Sequence, residues 1–370
     1  MSTFMTKVLV IGAGFAGLCA AHLLSEKGWE VTLVERSPFL SGGSKTFSYG
    51  GHPYTYGPRH FLGTDESLFE FLNKYVPMRR IHPEFLTYIE QDEQFFNFPI
   101  HRDDIDLMAD KDKIFKELDN RFGVENAQNL EEYWLSSVGP TLYSKYVETY
   151  SKKMWQIDSN AELDDFSWSP KGVALSTGPR GGFPDSISAF PYAMNGYDDY
   201  GDAATRDVKV HLNTEVEEYD VENHKVKIEG QWHTYDIIVS TISPEYLLNN
   251  VFGPLRWIGR DLIKLVLPVK ELFPPNVYFL YYANQEPFTR VVEYKKFYQY
   301  DSPTTLISLE VPSFNNKLYP YPVGKDQAIA KKYLDALPEN VFSLGRAGSY
   351  EYRIDIDDCI RQGHELAAEL

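Results

Sequence analysis

The sequence predicts an α/β protein in which a parallel sheet is interrupted by inserted segments. Three observations lead to this fold class. Residues 7–34 follow a strand, glycine turn, helix and strand pattern, and residues 102–164 are helical in pattern without strand signals. Strand patterns return after residue 207, and the chain closes with a strand, a glycine and a helix. Both ends are therefore α/β, and the middle is an insertion between them.

The first unit has the pattern of a dinucleotide-binding site. The apolar run 8–11 precedes the turn Gly12-Ala13-Gly14-Phe15-Ala16-Gly17, and the helix pattern 18–27 follows it. The first glycine allows the tight turn, the second lets a pyrophosphate approach the backbone, and the third lets helix and strand pack closely. Glu35, at the end of the next strand, can accept a ribose hydroxyl. The predicted cofactor-binding residues of this unit are Gly12, Gly14, Phe15, Ala16, Gly17, Glu35 and Arg36.

Two later glycine turns favour FAD over a nicotinamide cofactor. Ser41-Gly42-Gly43-Ser44 follows the acidic residue closely, and its backbone N–H groups can contact a second section of an extended cofactor. Near the C-terminus, Gly345-Arg346 again places a glycine before a helix pattern. The chain therefore returns to its first domain, as two-domain FAD proteins do. Gly42, Gly43, Ser44 and Gly345 join the predicted cofactor site.

The intervening patterns give the predicted domain organisation. Residues 64–75 read as a helix capped by Thr64 or Asp65, and residues 85–98 as a hairpin. The Gly/Pro-rich passage 167–200 reads as an irregular, mobile lid. We predict an FAD-binding domain from residues 1–63, 205–250 and 335–370, a helical domain from 100–165, and a mixed or antiparallel sheet domain for substrate from 64–99, 166–204 and 251–334.

Composition and charge exclude several classes of function. The net charge of −17 argues against nucleic acid as a partner, since no extended basic face is available. Cys19 and Cys359 are the only cysteines and read as buried free thiols. No apolar run approaches the ~20 residues of a membrane span, and the first strand starts close to Met1. We therefore expect a reduced, cytoplasmic protein with no membrane insertion, and we predict no metal site.

Five stretches, in chain order, resemble the flavin-dependent UDP-galactopyranose mutases and their nucleotide-sugar relatives. They are residues 12–35 with Gly42-Gly43; Tyr56-Gly57; Val138-Gly139 through Leu142-Tyr143 to Tyr150 and Trp155; Phe288-Thr289-Arg290-Val291-Val292-Glu293-Tyr294-Lys295; and Gly345-Arg346 with Tyr350-Glu351-Tyr352 and Asp355. The third has that family's Tyr-x-x-x-x-Trp spacing. The fourth is close to its Tyr-Thr-Arg-Ile-Ile-Glu-His-Lys.

The resemblance implies an isomerase that interconverts the pyranose and furanose forms of a nucleotide-diphosphate sugar. Such enzymes need reduced FAD although there is no net redox change. Flavin N5 attacks the anomeric carbon and displaces the diphosphate, and the resulting N5–sugar adduct opens and recloses as the other ring. The resemblance also implies a role in making furanoses for cell-surface polysaccharides. We further expect a homodimer or a higher homo-oligomer.

The resemblance also assigns roles to single residues. Arg290 and Tyr352 are expected to bind the leaving diphosphate, and a guanidinium fork suits two phosphate oxygens. Tyr150 and Trp155 are expected to stack on the nucleotide or the sugar, because two residues five apart need not share one helical face. Arg346 is expected beside the isoalloxazine. Tyr56, Gly57 and Asp355 complete the cofactor-binding set.

Two departures from the family pattern separate this chain from a standard UDP-galactose enzyme. Where the family has Gly-Ala-His-Ile-Phe-His beside the flavin, this chain has Gly57-Pro58-Arg59-His60-Phe61-Leu62. We expect Arg59 and His60 to be catalytic residues that face a differently decorated sugar on UDP or GDP. The family's mobile-loop arginine has no clean match. Lys171 and Arg180 lie in the corresponding passage, and Arg180 is the assigned substrate-binding residue.

The alternative is an FAD-dependent oxidoreductase of the amine oxidase or desaturase type. Such an enzyme accounts equally well for residues 12–43, since both classes bind FAD through the same turns. It does not account for the stretch 288–295 or for Tyr150 with Trp155. We therefore prefer the mutase.

Overall fold

The computed structural model describes residues 5–169 and 174–370. A five-stranded parallel sheet forms its base, with the order Lys209–His211, Glu30–Val34, Lys7–Ile11, Ile237–Ser240, Val341–Ser343. All five strands come from the segments predicted for the FAD-binding domain. The sheet confirms the Rossmann-like α/β fold class, because the strand order reverses beside the glycine-rich turn.

Helices surround this sheet and fill the insertion. The α-helices of the described residues are Phe15–Glu26, Glu66–Tyr75, Lys111–Asp119, Leu130–Tyr143, Thr149–Trp155, Asp198–Ala204, Tyr294–Tyr298, Gly324–Asp335, Gly345–Gly348 and Ile356–Glu369. The 3₁₀ turns are Gly42–Ser44, Glu90–Asp92, Arg102–Leu107, Asn160–Glu162, Val221–Asn223 and Pro244–Tyr246, and Ser144–Glu148 is a π-helix. In the described ranges, none of these helices has the length and apolar character to cross a bilayer.

A seven-stranded mixed sheet forms the second layer. Its order is Tyr319–Pro320, Trp257–Leu267, Thr305–Ser313, Arg290–Glu293, Val277–Tyr282, Glu84–Ile89, Gln94–Phe98. Only the pair Val277–Tyr282 with Glu84–Ile89 is parallel among these neighbours. Because side chains alternate between the faces, Arg290 points to one face and Val291 to the other. The sheet confirms the mixed β-sheet predicted beside the Rossmann-like domain.

Smaller sheets connect the two layers. They are Phe61–Gly63 and Met78–Arg80 on either side of Ile187–Pro191; Val216–Asp220, Lys225–Ile228 and Gln231–Thr234; Phe47–Tyr49 with His52–Tyr54; and Ile100–His101 with Leu175–Ser176. The predicted hairpin is formed by Glu84–Ile89 and Gln94–Phe98. Asp65 caps the helix Glu66–Tyr75 by accepting the Ser67 N–H at 2.9 Å.

One prediction of local structure was wrong. The passage 167–200 contains the strand Ile187–Pro191 and the helix Asp198–Ala204 within its described part. Phe190 and Ala189 are buried in the centre of a three-stranded sheet, so tertiary packing overrides the loop-like composition.

Both cysteines are buried and free, as predicted. Cys19 lies in the first helix and faces Gly363 of the last helix. A Cβ added to Gly363 would stand 3.1 Å from the Cβ of Cys19. Burial raises the pKa of Cys19 to about 12 despite the hydrogen bond from Tyr200. These thiols therefore pack as small apolar groups between the first and last helices.

Candidate active site

One cavity of about 450 Å³ lies where the parallel sheet, the seven-stranded sheet and the helical insertion meet. The carboxyl ends of the parallel strands contribute Gly14, Thr241 and Gly345 to its wall. The mixed sheet contributes Tyr281 and Arg290 from its inner face. A cleft outside the carboxyl ends of a doubly wound sheet is where such folds bind ligands.

The glycines of the first turn have three different surroundings. Gly12 has φ +94°, and a Cβ on it would lie 2.5 Å from Thr241 Oγ1. A Cβ on Gly17 would lie 1.9 Å from the Gly12 carbonyl oxygen. A Cβ on Gly14 would have no atom of the described residues within 4 Å. Gly12 and Gly17 are therefore required by the fold, whereas Gly14 opens into the cavity together with Phe15 and Ala16.

Glu35 lies where the sequence predicted, but its carboxylate is partly used by the fold. Oε2 accepts the Ala13 N–H and Oε1 accepts the Ser37 N–H, both at 2.8 Å. Each oxygen keeps a second lone pair for a hydroxyl donor. Arg36 is exposed and does not line the cavity. Its predicted cofactor role does not agree with this position, because its side chain lies on the outer surface.

The later glycine turns reach the same cavity. Gly43 and Ser44 line it, and a Cβ on Gly42 would stand 2.9 Å from Gly14 Cα. Gly345 has φ +75° and packs against the Ala16 Cβ, 2.6 Å from where its own Cβ would be. The two ends of the chain therefore close one cradle. This is the arrangement that an extended dinucleotide requires.

Arg346 and Asp355 form an ion pair on the cavity wall. Arg346 Nη2 donates to Asp355 Oδ1 at 2.7 Å, while Arg346 Nε is buried without a hydrogen-bond partner in the described residues. The guanidinium also lies 5.2 Å from the Tyr319 ring and 5.9 Å from the Tyr352 ring. Arg346 thus lines the cavity and keeps one charged donor, its Nε, without a partner in the described residues.

Arg290 is held by a buried carboxylate. Its Nε and Nη2 donate to Glu310 Oε2 at 2.9 and 2.6 Å, and the Glu310 side chain is only 1% exposed. Burial alone would lower the pKa of Arg290, but Glu310 raises it above its ordinary value. Nη1 makes no hydrogen bond within residues 5–169 and 174–370. Arg290 therefore offers a fixed, charged donor to an anion in the cavity.

Of the three aromatic residues predicted to bind substrate, Tyr150 and Tyr352 line the cavity and Trp155 does not. Tyr150 lines the cavity and contacts the Tyr281 ring at 5.5 Å, and Tyr352 lines it as well. Trp155 is 0% exposed and packs behind Tyr352 and Trp168, with ring centroids at 4.9 and 5.5 Å. Trp155 does not line the cavity, so this position does not favour the expectation that it stacks on a ligand. Its indole supports the two rings that face the cavity.

The arginine assigned to the irregular passage is paired elsewhere. Arg180 Nη1 lies 2.7 Å from Asp104 Oδ1, and Arg180 does not line the cavity. Its substrate-binding role is therefore not supported, because the buried Asp104 carboxylate already holds the guanidinium. Lys171 lies outside the described residues. From this passage, Gly182 and Phe183 reach the cavity.

The altered loop enters the cavity from the other side. Arg59 and His60 line it, and the His60 ring stacks on Phe297 with centroids 6.0 Å apart. Tyr56 and Gly57 do not line it. Gly57 has φ +79°, and a Cβ on it would lie 3.5 Å from Arg290 Nη2. Gly57 thus leaves room for the ion pair of Arg290 and Glu310, and its cofactor role stays a prediction.

Two further polar residues at the centre of the cavity were not predicted. They are Tyr319 and Arg260. The centroid of the Tyr319 ring lies 5.1 Å from the guanidinium carbon of Arg260 and 6.0 Å from that of Arg59. Burial raises the pKa of Tyr319, but the surrounding arginines, Arg59 foremost, outweigh it and hold the pKa below the usual 10. A sequence signal existed for Arg260, which directly follows Trp257-Ile258-Gly259 in a strand pattern and is 4% exposed. A charged residue inside a strand pattern indicates a site.

The first turn of the last helix carries a destabilising carboxyl group. Burial, assisted by Asp358 and Asp355, raises the pKa of Asp357 to about 6 from 3.8. The folded state therefore favours the protonated form, and stability is lost as pH rises from about 4 to 6. We expect Asp357→Asn to raise the free energy of unfolding at pH 7.5 by about 1–2 kcal/mol, after allowance for partial solvent screening. Denaturant titrations at pH 4 and 7.5 test this. A gain at pH 4 equal to that at pH 7.5, or a gain for exposed Asp207→Asn, would contradict it.

Comparison with known proteins identifies the family. The family model described as UDP-galactopyranose mutase matches residues 145–352, and that of an NAD(P)-binding Rossmann-like domain matches residues 10–75. The dTDP-fucopyranose mutase of Escherichia coli is 23% identical over 98% of both chains. The probable UDP-galactopyranose mutase of Klebsiella pneumoniae is 21% identical over 98% of this chain and 94% of its own.

A solved structure shows the same fold. The crystal structure of reduced UDP-galactopyranose mutase superimposes with a TM-score of 0.85 at 18% identity, covering 99% of this chain and 95% of that one. The family match also spans the stretch 288–295 and the pair Tyr150 and Trp155, for which the oxidoreductase alternative gives no account. The chain therefore belongs to the UDP-galactopyranose mutase family of isomerases.

Proposed function

We propose that this protein interconverts the pyranose and furanose forms of a nucleotide-diphosphate sugar, without net redox change, using FAD in its reduced form. The observation that carries the proposal is a single cavity that joins the glycine turn at Gly14 to the arginines around Tyr319. Membership of the mutase family supports the reaction, and the cavity supplies a place for both cofactor and substrate.

The residues at the glycine end fit FAD. The space beside Gly14 is open, and a Cβ on Gly14 would project into it. Phe15 and Ala16 begin a helix whose free N–H groups suit a pyrophosphate. Gly43, Ser44 and Gly345 extend the cradle beyond one nucleotide. When bound, reduced FAD supplies the nucleophile of the reaction, its N5 atom.

The protein's own residues bind and orient the substrate in this proposal. Arg290 Nη1 and Tyr352 bind the diphosphate, which gains charge as it leaves the sugar, and a fixed cation stabilises that change. Tyr150 offers its ring to the nucleotide or sugar. Arg346 faces the flavin, where a positive charge favours the reduced anionic form. His60 also lines the cavity, and in this proposal it faces the reacting sugar.

The nucleotide of the substrate is best defined by comparing how strongly different nucleotides stabilise the protein. The altered residues 58–62 set this chain apart from the family loop, and one relative is named for dTDP-fucopyranose rather than UDP-galactopyranose. We propose that the substrate is not restricted to UDP-galactose. Thermal protection by UDP, dTDP and GDP, each at saturation, ranks the nucleotide by a shift in Tm. A homodimer or higher homo-oligomer remains part of the proposal.

The reaction is tested with dithionite-reduced, FAD-reconstituted protein. UDP-galactopyranose, dTDP-fucopyranose and a GDP-hexose are incubated separately, and furanose products are separated by chromatography. We expect a furanose from at least one substrate with reduced protein and almost none with oxidised protein. An amine or an alkene that reduces the oxidised flavin, with no conversion of any nucleotide sugar, would establish the oxidoreductase alternative instead.

A further inference from the structure

Arg59 differs from Arg290 and Arg346 in having no carboxylate partner among the described residues, although its guanidinium lies near the Tyr319 ring. Arg290 pairs with Glu310, and Arg346 pairs with Asp355. Arg59 makes no hydrogen bond or ion pair with any residue that the structure describes, and its Nε is buried. The Arg59 side chain is half-buried and lines the cavity. A guanidinium that is partly shielded from water and lacks a carboxylate partner is well placed to bind a ligand of opposite charge.

The charge balance of the cavity also calls for anions. The described lining contains four arginines and two carboxylates, Glu310 and Asp355, and both carboxylates are already paired. Arg260 donates only to the neighbouring Gly259 carbonyl, at 2.6 Å. This local excess of positive charge occurs in a chain whose net charge is −17. The excess is therefore a property of the site and not of the overall composition.

The position of Arg59 indicates which anion it meets. Its Nη2 lies 4.0 Å from the position of a Cβ on Gly43. The neighbouring Gly42 packs against Gly14, so Arg59 reaches the junction of the two glycine turns. Arg290 holds the other cation site, on the mixed sheet. The sequence alone assigned Arg59 to the sugar, whereas its place beside Gly43 favours the cofactor.

We propose that Arg59 is a cofactor-binding residue that neutralises negative charge on the flavin nucleotide. The inference rests on the proposed function, because it requires FAD in the cradle. Two parts of that ligand carry negative charge: the pyrophosphate, in every redox state, and the isoalloxazine, when reduced. Both are anions that a guanidinium fork recognises. The family pattern has histidine at the corresponding loop position, so Arg59 supplies a fixed charge where that pattern has a titratable one.

The test compares Arg59→Met with Arg59→Lys, which keeps the charge, and with Arg206→Met, which removes an exposed charge away from the cavity. The dissociation constants of oxidised and reduced FAD and the flavin midpoint potential are measured without substrate. We expect Arg59→Met to weaken FAD at least tenfold, Arg59→Lys to keep most of the affinity, and Arg206→Met to match wild type. If the pyrophosphate is the partner, both redox forms weaken equally. If the reduced ring is the partner, a tenfold selective loss lowers the potential by about 30 mV.

Stability of the apoprotein gives an independent readout. Because Arg59 makes no hydrogen bond or ion pair with the described residues, we expect the Arg59→Met apoprotein to melt at or above the wild-type Tm. A clearly lower Tm would show that Arg59 already has a structural partner and would overturn the inference. Unchanged FAD binding and potential, with weakened UDP or dTDP binding, would overturn it in favour of the substrate. Wild-type protein that takes up no FAD would overturn the proposed function itself, and the inference with it.

Discussion

We expect the double variant Arg290→Met/Glu310→Gln to keep its fold and its FAD while losing turnover by on the order of 10²–10³. The reason is that Nε and Nη2 of Arg290 donate to Glu310, which fixes the guanidinium and leaves Nη1 to donate to the ligand. The substrate diphosphate gains charge in the transition state, and Met supplies no donor to it. Single-turnover rates of furanose formation, with flavin content from absorbance, measure the effect.

The double variant is needed because the single one confounds two effects. Arg290→Ala leaves the 1% exposed Glu310 carboxylate without its cation, which typically costs about 3–5 kcal/mol of stability. Glu310→Gln removes that charge, so the neutral pair folds without a buried ion. Glu310→Gln alone serves as the control and should retain most of the turnover, since Arg290 keeps its charge. A double variant with near-normal kcat/KM would remove Arg290 from the reaction.

Gly14→Ala and Gly17→Ala should have opposite phenotypes, although both lie in the first glycine turn. On Gly17 the new methyl would stand 1.9 Å from the Gly12 carbonyl oxygen, and neither backbone can move without breaking the turn. Alanine gains roughly 1 kcal/mol of helix propensity, which is small beside this clash. We expect Gly17→Ala to lose about 4 kcal/mol or more of stability.

Gly14→Ala should instead leave the fold intact and weaken the cofactor. Gly14 has φ −69° and ψ 176°, which alanine adopts freely, and no described atom lies within 4 Å of the new methyl. Because the methyl occupies the open cradle, overpacking against FAD should cost about 1–3 kcal/mol, or roughly 5- to 150-fold in Kd. Urea unfolding of both apoproteins and FAD titration of Gly14→Ala measure this. A Gly14→Ala protein with wild-type FAD affinity would exclude this side of Gly14 as the cofactor path.

Local pattern was sufficient for much of the molecule. The turn 12–17, the strand before it and the helix after it are encoded within one short segment, and they fold as predicted. Arg290 and Tyr352, which the family resemblance assigned to the substrate diphosphate, both line the cavity, and their role there stays a prediction. Such features depend on residues near one another in sequence.

What the sequence by itself determined is therefore the class of fold, the dinucleotide turn and the family to which the chain belongs. The tertiary structure alone decided which side chains meet. Strand register sets Arg290 opposite Glu310, twenty residues away along the chain. Long-range packing buries Trp155 behind Tyr352 and brings Arg59 to Gly43. Periodicity reports which face a residue occupies, but pairing across strands and domains is fixed only when the whole chain packs.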